Sequence, residues 1–373
     1  MKLGKILICM TALGAMLVMS AMAADSLGTL PPEGANAYLE TVQSLAKQNG
    51  VNRSSKVDPV FLTGLSCSRI IDFDGDGIPE LYCAWGNNND DLVQHQAIWS
   101  YTTSGLQRIF YQDSISNFGT DVSPETLLYV GNTNAYLVDG RAVMNGGLVT
   151  YYTKSGNGMI KALTYTDEIG DSEHICTLNG KSVSEEEQST FLQNFTAGMT
   201  EYSYLHMNDP YAGQDVTTTV TQSIELLKTL VYPNAKTSSA KLQIDGQEVS
   251  LNAYQINGNN YYKLRDLAYA LNGSGKQFAV TWNQQQKRID LLPKKPYETI
   301  GGEGDSVKGT AQASLSSTNI WMNNEKFPLT AYQIYGNNYL KLRDLASAMD
   351  FGVTWDNRTQ CISVDTKKSY QAD

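Results

Sequence analysis

The spacing of apolar residues changes along the chain and divides it into helical and strand-like stretches. Apolar side chains recur every three to four positions in 38–46, which predicts a helix that ends at Gly50. From 69 to about 176, short apolar runs alternate with turn pairs such as Asp139-Gly140. This spacing is typical of an antiparallel meander, in which a turn joins each strand to the next.

Helical patterns return after this strand-rich region. Ser184 is followed three residues later by Glu187, which is a capping box that opens a helix. A second helix places its apolar residues on one face through 220–231, and we interpret the serine-rich stretch 236–240 as a linker. Residues 24–235 are therefore predicted to form a mostly antiparallel β domain with flanking helices.

The strongest signal in the sequence is an internal repeat. Residues 253–268 and 331–346 differ at only two positions, at an offset of 78. A later match pairs 280–282 with 353–355 at an offset of 73, so the first copy carries five extra residues. A run of identity this long does not arise from composition, and it marks a duplicated structural unit.

Each copy predicts the same order of elements. Turn pairs such as Asp245-Gly246 mark β-hairpins. A stripe of apolar residues at helical spacing begins at Leu264, and the alternation in 280–282 predicts a final hairpin. Each copy is thus a β-hairpin, a helix and a β-hairpin, and since one copy alone would bury little surface, the two are expected to pack together.

These elements define a C-terminal domain over 241–366, with copies at 241–292 and 319–365 and an insertion at 297–318. The fold class of the whole chain is accordingly predicted to be α+β.

The repeated pattern Asn-Asn-Tyr…Lys-Leu-Arg-Asp-Leu-Ala…Val-Thr-Trp resembles the copper amine oxidase N-terminal-like domain. The resemblance covers about 241–292 and 319–365. It implies a stalk module, which in the name-giving enzymes is remote from the copper and the quinone cofactor. The same module also occurs without an oxidase in secreted proteins of Gram-positive bacteria.

The residues that the resemblance would require for oxidase activity are missing from the sequence. Such an enzyme needs three histidine ligands and an Asn-Tyr-Asp/Glu motif whose tyrosine becomes the quinone. The Asn-Tyr pairs of the repeats are followed instead by Tyr262 and Leu340. The histidines are scattered outside the repeats, at His95, His174 and His206. We expect no copper, no quinone and no enzymatic activity.

One segment, 72–80, carries the chemistry of a metal site. Calcium prefers six to eight hard oxygen ligands, and alternating carboxylates in a glycine-containing loop point inward together. The segment resembles the calcium loop of FG-GAP and VCBS-type repeats, here present once. The alternative is an acidic turn that stays solvated. The predicted calcium ligands are Asp72, Asp74, Asp76, the carbonyl of Ile78, and Glu80.

The N-terminus has the three-part layout of a secretory signal peptide. A basic start is followed by an apolar run over 6–19 and by Ala21-Met22-Ala23, a small-x-small cleavage signal. Residues 1–23 are therefore predicted to be removed on secretion. The alternative, a retained anchor, is disfavoured because the apolar run is shorter than the roughly 20 residues that span a bilayer.

Charge and cysteine content narrow the classes of partner. The chain has a net charge of −10 and no basic cluster, which argues against nucleic acid. An even number of cysteines in a secreted chain permits disulfides, with buried free thiols as the alternative. The cysteines of the mature chain are Cys67, Cys83, Cys176 and Cys361.

These observations favour a secreted, non-catalytic structural or interaction protein of the bacterial cell surface. One alternative is a carbohydrate- or cell-wall-binding protein that uses exposed aromatic residues of the repeats, for which Tyr261, Tyr262 and Tyr339 are the candidate ligand-binding residues. Another alternative is a secreted hydrolase in 24–235, although no nucleophile motif such as Gly-x-Ser-x-Gly supports it.

Overall fold

A computed structural model shows an α+β protein that divides into two compact units, 1–228 and 229–373. The structure describes residues 29–51, 64–86, 93–115, 125–143, 146–169, 174–203, 216–307, 309–327 and 329–372. The predicted signal peptide lies outside these ranges. Among the helices that the structure describes, none combines the length and the apolar character needed to cross a membrane.

The first helix of the described part of the first unit is α1 (Pro32–Asn49), which confirms the predicted helix and its end at Gly50, where φ is 77°. Its apolar face buries Tyr38, Leu39 and Val42. The Tyr38 hydroxyl donates to the carbonyl of Pro79 at 3.0 Å and accepts from the N–H of Tyr101 at 3.0 Å. The helix is thus fixed to the sheet at a buried polar point.

The predicted meander is confirmed as antiparallel, but within the described residues it forms two sheets. The first sheet contains, in order, β1 (Gly64–Ile71), β2 (Glu80–Gly86), β3 (Val93–Thr102) and β4 (Gly105–Ile115). The second contains β5 (Glu125–Val130), β6 (Ala135–Val143), β7 (Gly146–Ser155), β8 (Gly158–Ile169), β9 (His174–Leu178), β10 (Lys181–Val183) and β11 (Thr200–Ser203), with β11 beside β5.

Both sheets contribute to one core. Phe73, Tyr82 and Ile98 from the first sheet region are buried in the same cluster as Leu128 and Leu137 from the second. The inner faces of the two sheets therefore share one apolar cluster.

Two helices follow, as the sequence predicts. The first is α2 (Glu185–Phe195), whose capping box is formed: Ser184 Oγ accepts from the N–H of Glu187 at 3.2 Å, and the Ser184 N–H donates to Glu187 Oε2 at 2.9 Å. The second is α3 (Val216–Val231), which contains the boundary between the two units.

The second unit has the element order that each repeat predicts. Its helices are α4 (Leu264–Ala270) and α5 (Leu342–Met349). The strands of the first half are β12 (Asn234–Thr237), β13 (Lys241–Ile244), β14 (Gln247–Val249), β15 (Ala253–Ile256), β16 (Asn259–Lys263), β17 (Phe278–Asn283) and β18 (Arg288–Pro293). Those of the second half are β19 (Thr310–Gln312), β20 (Ser314–Leu315), β21 (Ile320–Met322), β22 (Glu325–Phe327), β23 (Ala331–Ile334), β24 (Asn337–Lys341), β25 (Gly352–Asp356) and β26 (Cys361–Asp365).

The two copies are interlocked rather than adjacent. In the central sheet, ordered β19-β12-β15-β16-β24-β23-β20, the equivalent strands β16 and β24 pair antiparallel at the middle. In the outer sheets, β13 of copy one pairs parallel with β26 of copy two, and β21 of copy two pairs parallel with β18 of copy one. Each copy therefore supplies its first hairpin to the last hairpin of the other.

The repeat extends further upstream than its sequence identity suggests. Residues 236–240, interpreted as a linker, include the end of β12 and Ser238, whose N–H donates to the Ala253 carbonyl at 2.8 Å. The equivalent Ser316 donates in the same way to Ala331 at 2.8 Å. The predicted insertion 297–318 likewise contains β19 and β20, which belong to the central sheet.

The linker prediction fails because the serines of this stretch make ordered hydrogen bonds and do not form a flexible connection. Ser238 Oγ donates to Asn260 Oδ1 at 2.6 Å, and Ser316 Oγ donates to Asn338 Oδ1 at 2.7 Å. Composition alone does not distinguish such hydroxyls from those of a flexible linker.

Candidate metal centre

The acidic segment 72–80 forms the connection between β1 and β2. Asp72 closes it, because its carboxylate accepts from the N–H groups of Gly75 and Gly77, each at 2.8 Å. Both glycines have positive φ, 74° and 84°. A Cβ at Gly75 would lie 2.1 Å from the Thr133 carbonyl oxygen, so only glycine fits there.

Three carboxylates converge inside this loop. Ligand oxygens of Asp72, Asp74 and Glu80 all lie within 4.8 Å of one another, and this group could hold a metal ion. Glu80 is fully buried at the start of β2. Its two oxygens accept from the Phe73 N–H at 3.2 Å and from Ser100 Oγ at 3.1 Å, so the loop and the first sheet both fix its position.

A lysine ammonium lies among these carboxylates. Lys154, near the end of β7, places its Nζ 2.9 Å from Asp74 Oδ2, 3.0 Å from Asp76 Oδ2 and 3.1 Å from Glu80 Oε1. Its side chain is only 6 % exposed. The loop therefore already contains a cation, which the protein itself supplies.

The sequence does not identify Lys154 as part of the site, since it lies 78 residues from Asp76. In the sequence, Lys154 is a single lysine near the end of a strand, separated by one residue from the turn at Gly156, and nothing there shows whether its side chain is buried. A buried lysine in a strand requires an anionic partner, and the acidic loop is the obvious source of one.

The electrostatics of the cluster show incomplete neutralisation. Burial raises the pKa of Glu80 to about 7, even though Lys154 and the hydrogen bonds to Glu80 act in the opposite direction. Burial lowers the pKa of Lys154, but its hydrogen bonds with Asp74 and Asp76 and the charge of Glu80 together raise it above its usual value. One ammonium thus faces several carboxylates.

The donor set fits a hard cation. Asp74 Oδ1 is buried and has no hydrogen-bond partner among the described residues, which leaves an anionic oxygen for a further ligand. Of the predicted ligands, Asp74, Asp76 and Glu80 meet at Lys154, and Asp72 lies beside Asp74 and Glu80. Ile78, predicted to offer its carbonyl, is held through its N–H, which donates to Asp76 Oδ1 at 2.7 Å.

The tyrosines predicted to bind a ligand lie in the interior of the second unit. Tyr262 is fully buried, and Tyr261 and Tyr339 are 8 % and 5 % exposed. The ring of Tyr339 packs edge-on against Tyr254 at 5.4 Å between centroids, and Tyr261 packs in the same way against Tyr332 at 5.5 Å. In this structure they stabilise the central sheet and do not present a binding face.

The remaining candidate groups are placed as follows. His95 is hydrogen-bonded to Asp113 and Tyr111, whereas the side chains of His174 and His206 lie outside the described residues. The four cysteines of the predicted mature chain are buried free thiols, and burial raises the pKa of Cys83 well above its usual value.

Comparison of the chain with known proteins finds no similar protein. No protein-family model, no curated protein and no solved structure matches the chain. The resemblance of the repeats to the copper amine oxidase N-terminal-like domain therefore stays a prediction from the sequence motif.

Proposed function

We propose that this chain is a secreted, non-catalytic structural and interaction protein of the bacterial cell surface, with its second unit acting as a stalk. The predicted signal peptide supports secretion, and the repeat motif supports the stalk. The observation that carries the proposal is the reciprocal parallel pairing of strands between the two copies.

This pairing gives the second unit resistance to tension. β13 lies near the start of the unit and β26 near its end, and their residues pair in parallel from Lys241↔Cys361 to Ile244↔Val364. Pulling the N-terminal end of β13 against the C-terminal end of β26 loads all of these pairs together, in shear. A ladder loaded in this way breaks as a unit, whereas a ladder pulled from one end opens one bond at a time.

Further hydrogen bonds, from the backbone and from the Asp245 side chain, reinforce the same pair of strands. The backbone N–H groups of Lys241 and Asp245 donate to the carbonyls of Gln360 and Val364 at 3.0 and 2.9 Å. The Asp245 carboxylate also accepts from the N–H and the hydroxyl of Thr366, at 2.8 and 2.7 Å. The turn after β13 is therefore fastened to the residue that follows β26.

Single-molecule pulling in two directions tests the proposal. Handles attached through Ser239→Cys and Ala372→Cys load β13 and β26 in shear. Handles attached through Gln247→Cys and Ala372→Cys pull the neighbouring ends of the two strands apart. Forced unfolding depends on the unfolding barrier, so we expect a clearly higher rupture force in the first geometry. Equal rupture forces in both geometries would contradict a load-bearing role.

We further propose calcium as the metal ion of the acidic loop in the first unit. A Ca²⁺ ion suits a set of carboxylate oxygens at loosely fixed distances. Asp72, Asp74 and Glu80, whose oxygens converge, would be its central ligands, with Asp76 beside them. The Lys154 ammonium competes with the ion for the carboxylates of Asp74, Asp76 and Glu80, which it already contacts. Calcium and Lys154 are then competitors, and the loop is stabilised by whichever of them it holds.

A further inference from the structure

The approximate twofold symmetry of the second unit creates two grooves lined by equivalent residues. One groove, of about 510 Å³, combines Lys341, Arg343 and Trp355 of copy two with Asn259 and Asn260 of copy one. We call it the large groove. The other, of about 170 Å³, combines the equivalent residues with the copies exchanged, and we call it the small groove. Its lining includes Lys263, Arg265, Trp282, Asn337 and Asn338.

Each groove presents a tryptophan face to solvent. Trp355 is 40 % exposed and Trp282 is 49 % exposed, although both lie in strands of the outer sheets. Exposed tryptophans at equivalent places in both copies are not needed for the core, which is formed by other residues of the same strands, such as Val353. An indole beside polar groups offers a flat apolar surface for stacking.

The amide side chains of the grooves are held in fixed orientations. Ser238 Oγ donates to Asn260 Oδ1, and Ser316 Oγ donates to Asn338 Oδ1. Because the carbonyl oxygen of each amide is engaged, its NH₂ group remains directed elsewhere as a pair of donors. A fixed donor pair beside an indole face matches a hydroxyl-rich ring that has polar edges and an apolar face.

The net positive charge of the second unit favours an anionic ligand. Residues 229–373 contain 16 Lys and Arg and 13 Asp and Glu, a net charge of +3, although the whole chain carries −10. Arg343 and Lys341 place part of this positive charge in the large groove. Lys341 lies 3.8 Å from Asp344, so its charge is only partly offset. A guanidinium next to an ammonium favours a carboxylate or a phosphate group.

The lysines of the two grooves differ in their partners and in their exposure. Lys263 Nζ, in the small groove, donates to the Gly302 carbonyl at 2.6 Å. Its counterpart Lys341 is more exposed, 29 % against 14 %. The large groove therefore has the greater volume and the more exposed lysine, and it is the principal site.

We infer that the large groove binds an acidic glycan. Trp355 stacks against a sugar ring, Arg343 and Lys341 pair with the carboxylate or phosphate groups of the glycan, and Asn260 donates to its hydroxyls. The small groove offers a second, weaker site for the same class of ligand. This inference rests on the proposed surface role, since it names the class of partner that the interaction protein would hold.

Binding measurements on the full mature chain test the inference. The probes are three oligosaccharides of matched length: an oligogalacturonate, which carries carboxylates, a phosphorylated oligosaccharide, which carries phosphates, and a neutral galacto-oligosaccharide. We expect both acidic probes to bind more tightly than the neutral one, and salt to weaken their binding. Trp355→Ala and Arg343→Gln should each weaken binding about tenfold, as is typical when a central aromatic or arginine contact is removed.

The control variant is Tyr269→Ala, which removes an exposed aromatic of α4 outside both grooves and should leave binding unchanged. Thermal melting of each variant verifies that the fold is retained. Equal binding of the acidic and neutral probes, or unchanged binding by both groove variants, would overturn the inference. The pulling experiment is independent of these residues, so failure here leaves the load-bearing role intact.

Discussion

At the scale of single residues, the first unit depends on a lysine that reaches an acidic loop from another sheet. Lys154 contacts Asp74, Asp76 and Glu80, and Glu80 is fully buried. Removing one partner of a buried ionic cluster leaves the other charges buried and unpaired. The resulting loss of folding free energy exceeds the net free energy that the intact cluster contributes.

Replacement of Lys154 by methionine should therefore destabilise the first unit and strengthen calcium binding. Without calcium, we expect a loss of about 3 kcal/mol, typical for a broken buried ion pair. With calcium, the variant should recover more stability than the wild type, because no ammonium competes for the oxygens. At ten times the dissociation constant, a ligand of the native state adds about 1.4 kcal/mol.

Thermal unfolding with calcium and with chelator measures both effects. Asp76→Ala in the Lys154→Met background is the control, and it should reduce the calcium response by removing one of the ligand oxygens. A Lys154→Met protein that melts identically in both buffers would show that the loop is not a calcium site. Magnesium should substitute poorly, since it requires compact octahedral geometry.

A second residue-scale prediction concerns Glu303, in the segment between the copies. A hydrogen bond from the Tyr297 hydroxyl, with those from the N–H groups of Ile300 and Gly301, lowers the pKa of Glu303 to about 2. The unfolded chain then takes up the proton at a higher pH than the native state does. The stabilisation is present above about pH 4.5 and is lost as the pH falls towards 2.

Chemical denaturation of the second unit at several pH values checks whether the stabilisation by Glu303 falls as the pH falls. The difference in unfolding midpoint between wild type and Glu303→Gln should be largest at neutral pH and should shrink as the solution is acidified. Glu298→Gln, at an exposed glutamate in the same segment, is the matched control for the loss of one carboxylate charge. A difference that stays constant with pH would disprove the assignment.

At the scale of elements, β12 decides where the second unit begins. It pairs with both β15 and β19, and its Ala235 is fully buried, as is the equivalent Ala313. A domain that begins at the sequence-based boundary of 241 would lack this strand, which lies between β19 and β15 in the central sheet.

Two fragments test the importance of this strand. Residues 229–372 should unfold cooperatively, and residues 241–372 should melt at a lower temperature because several backbone hydrogen bonds, each contributing about 1 kcal/mol, are lost. The two fragments share their C-terminus, so the comparison isolates the N-terminal strand. Identical melting temperatures would mean that β12 is dispensable.

The elements that the sequence predicts well are those with local signals. The capping box at Ser184, the helix over 32–49 and the hairpins of the repeat all depend on neighbouring residues, and the structure contains each of them. The parallel pairing of β13 with β26 joins residues about 120 positions apart, and no periodicity encodes such a pairing.

In the candidate metal site, too, the features that depend on neighbouring residues are predictable, whereas those that depend on long-range packing are not. The loop carboxylates are contiguous, so their convergence is predictable from the spacing of Asp72, Asp74 and Glu80. The position of Lys154 depends on the packing of two sheets and is not. The repeat tyrosines carry no mark in the sequence that distinguishes a buried ring from an exposed one. The exposure of Trp282 and Trp355 is not predictable from strand alternation either, because each is two residues from a core-facing valine of the same strand.

At the scale of the whole molecule, the two units differ in charge and in what they offer a partner. The net negative charge lies in residues 1–228, which contain 25 Asp and Glu and 12 Lys and Arg, a net charge of −13. The second unit is slightly basic and contains both grooves. Acidic glycans would therefore be attracted by the second unit and repelled by the first.

The exchange of hairpins between the repeats has a consequence for the origin of the second unit. One repeat alone would lack the strand that completes its last hairpin, whereas two separate copies would complete each other as a symmetric homodimer. Joining the two genes would turn assembly from a concentration-dependent event into an internal one. It would also allow the two halves to diverge in sequence, so that their grooves could come to differ in volume and in the exposure of their lysines.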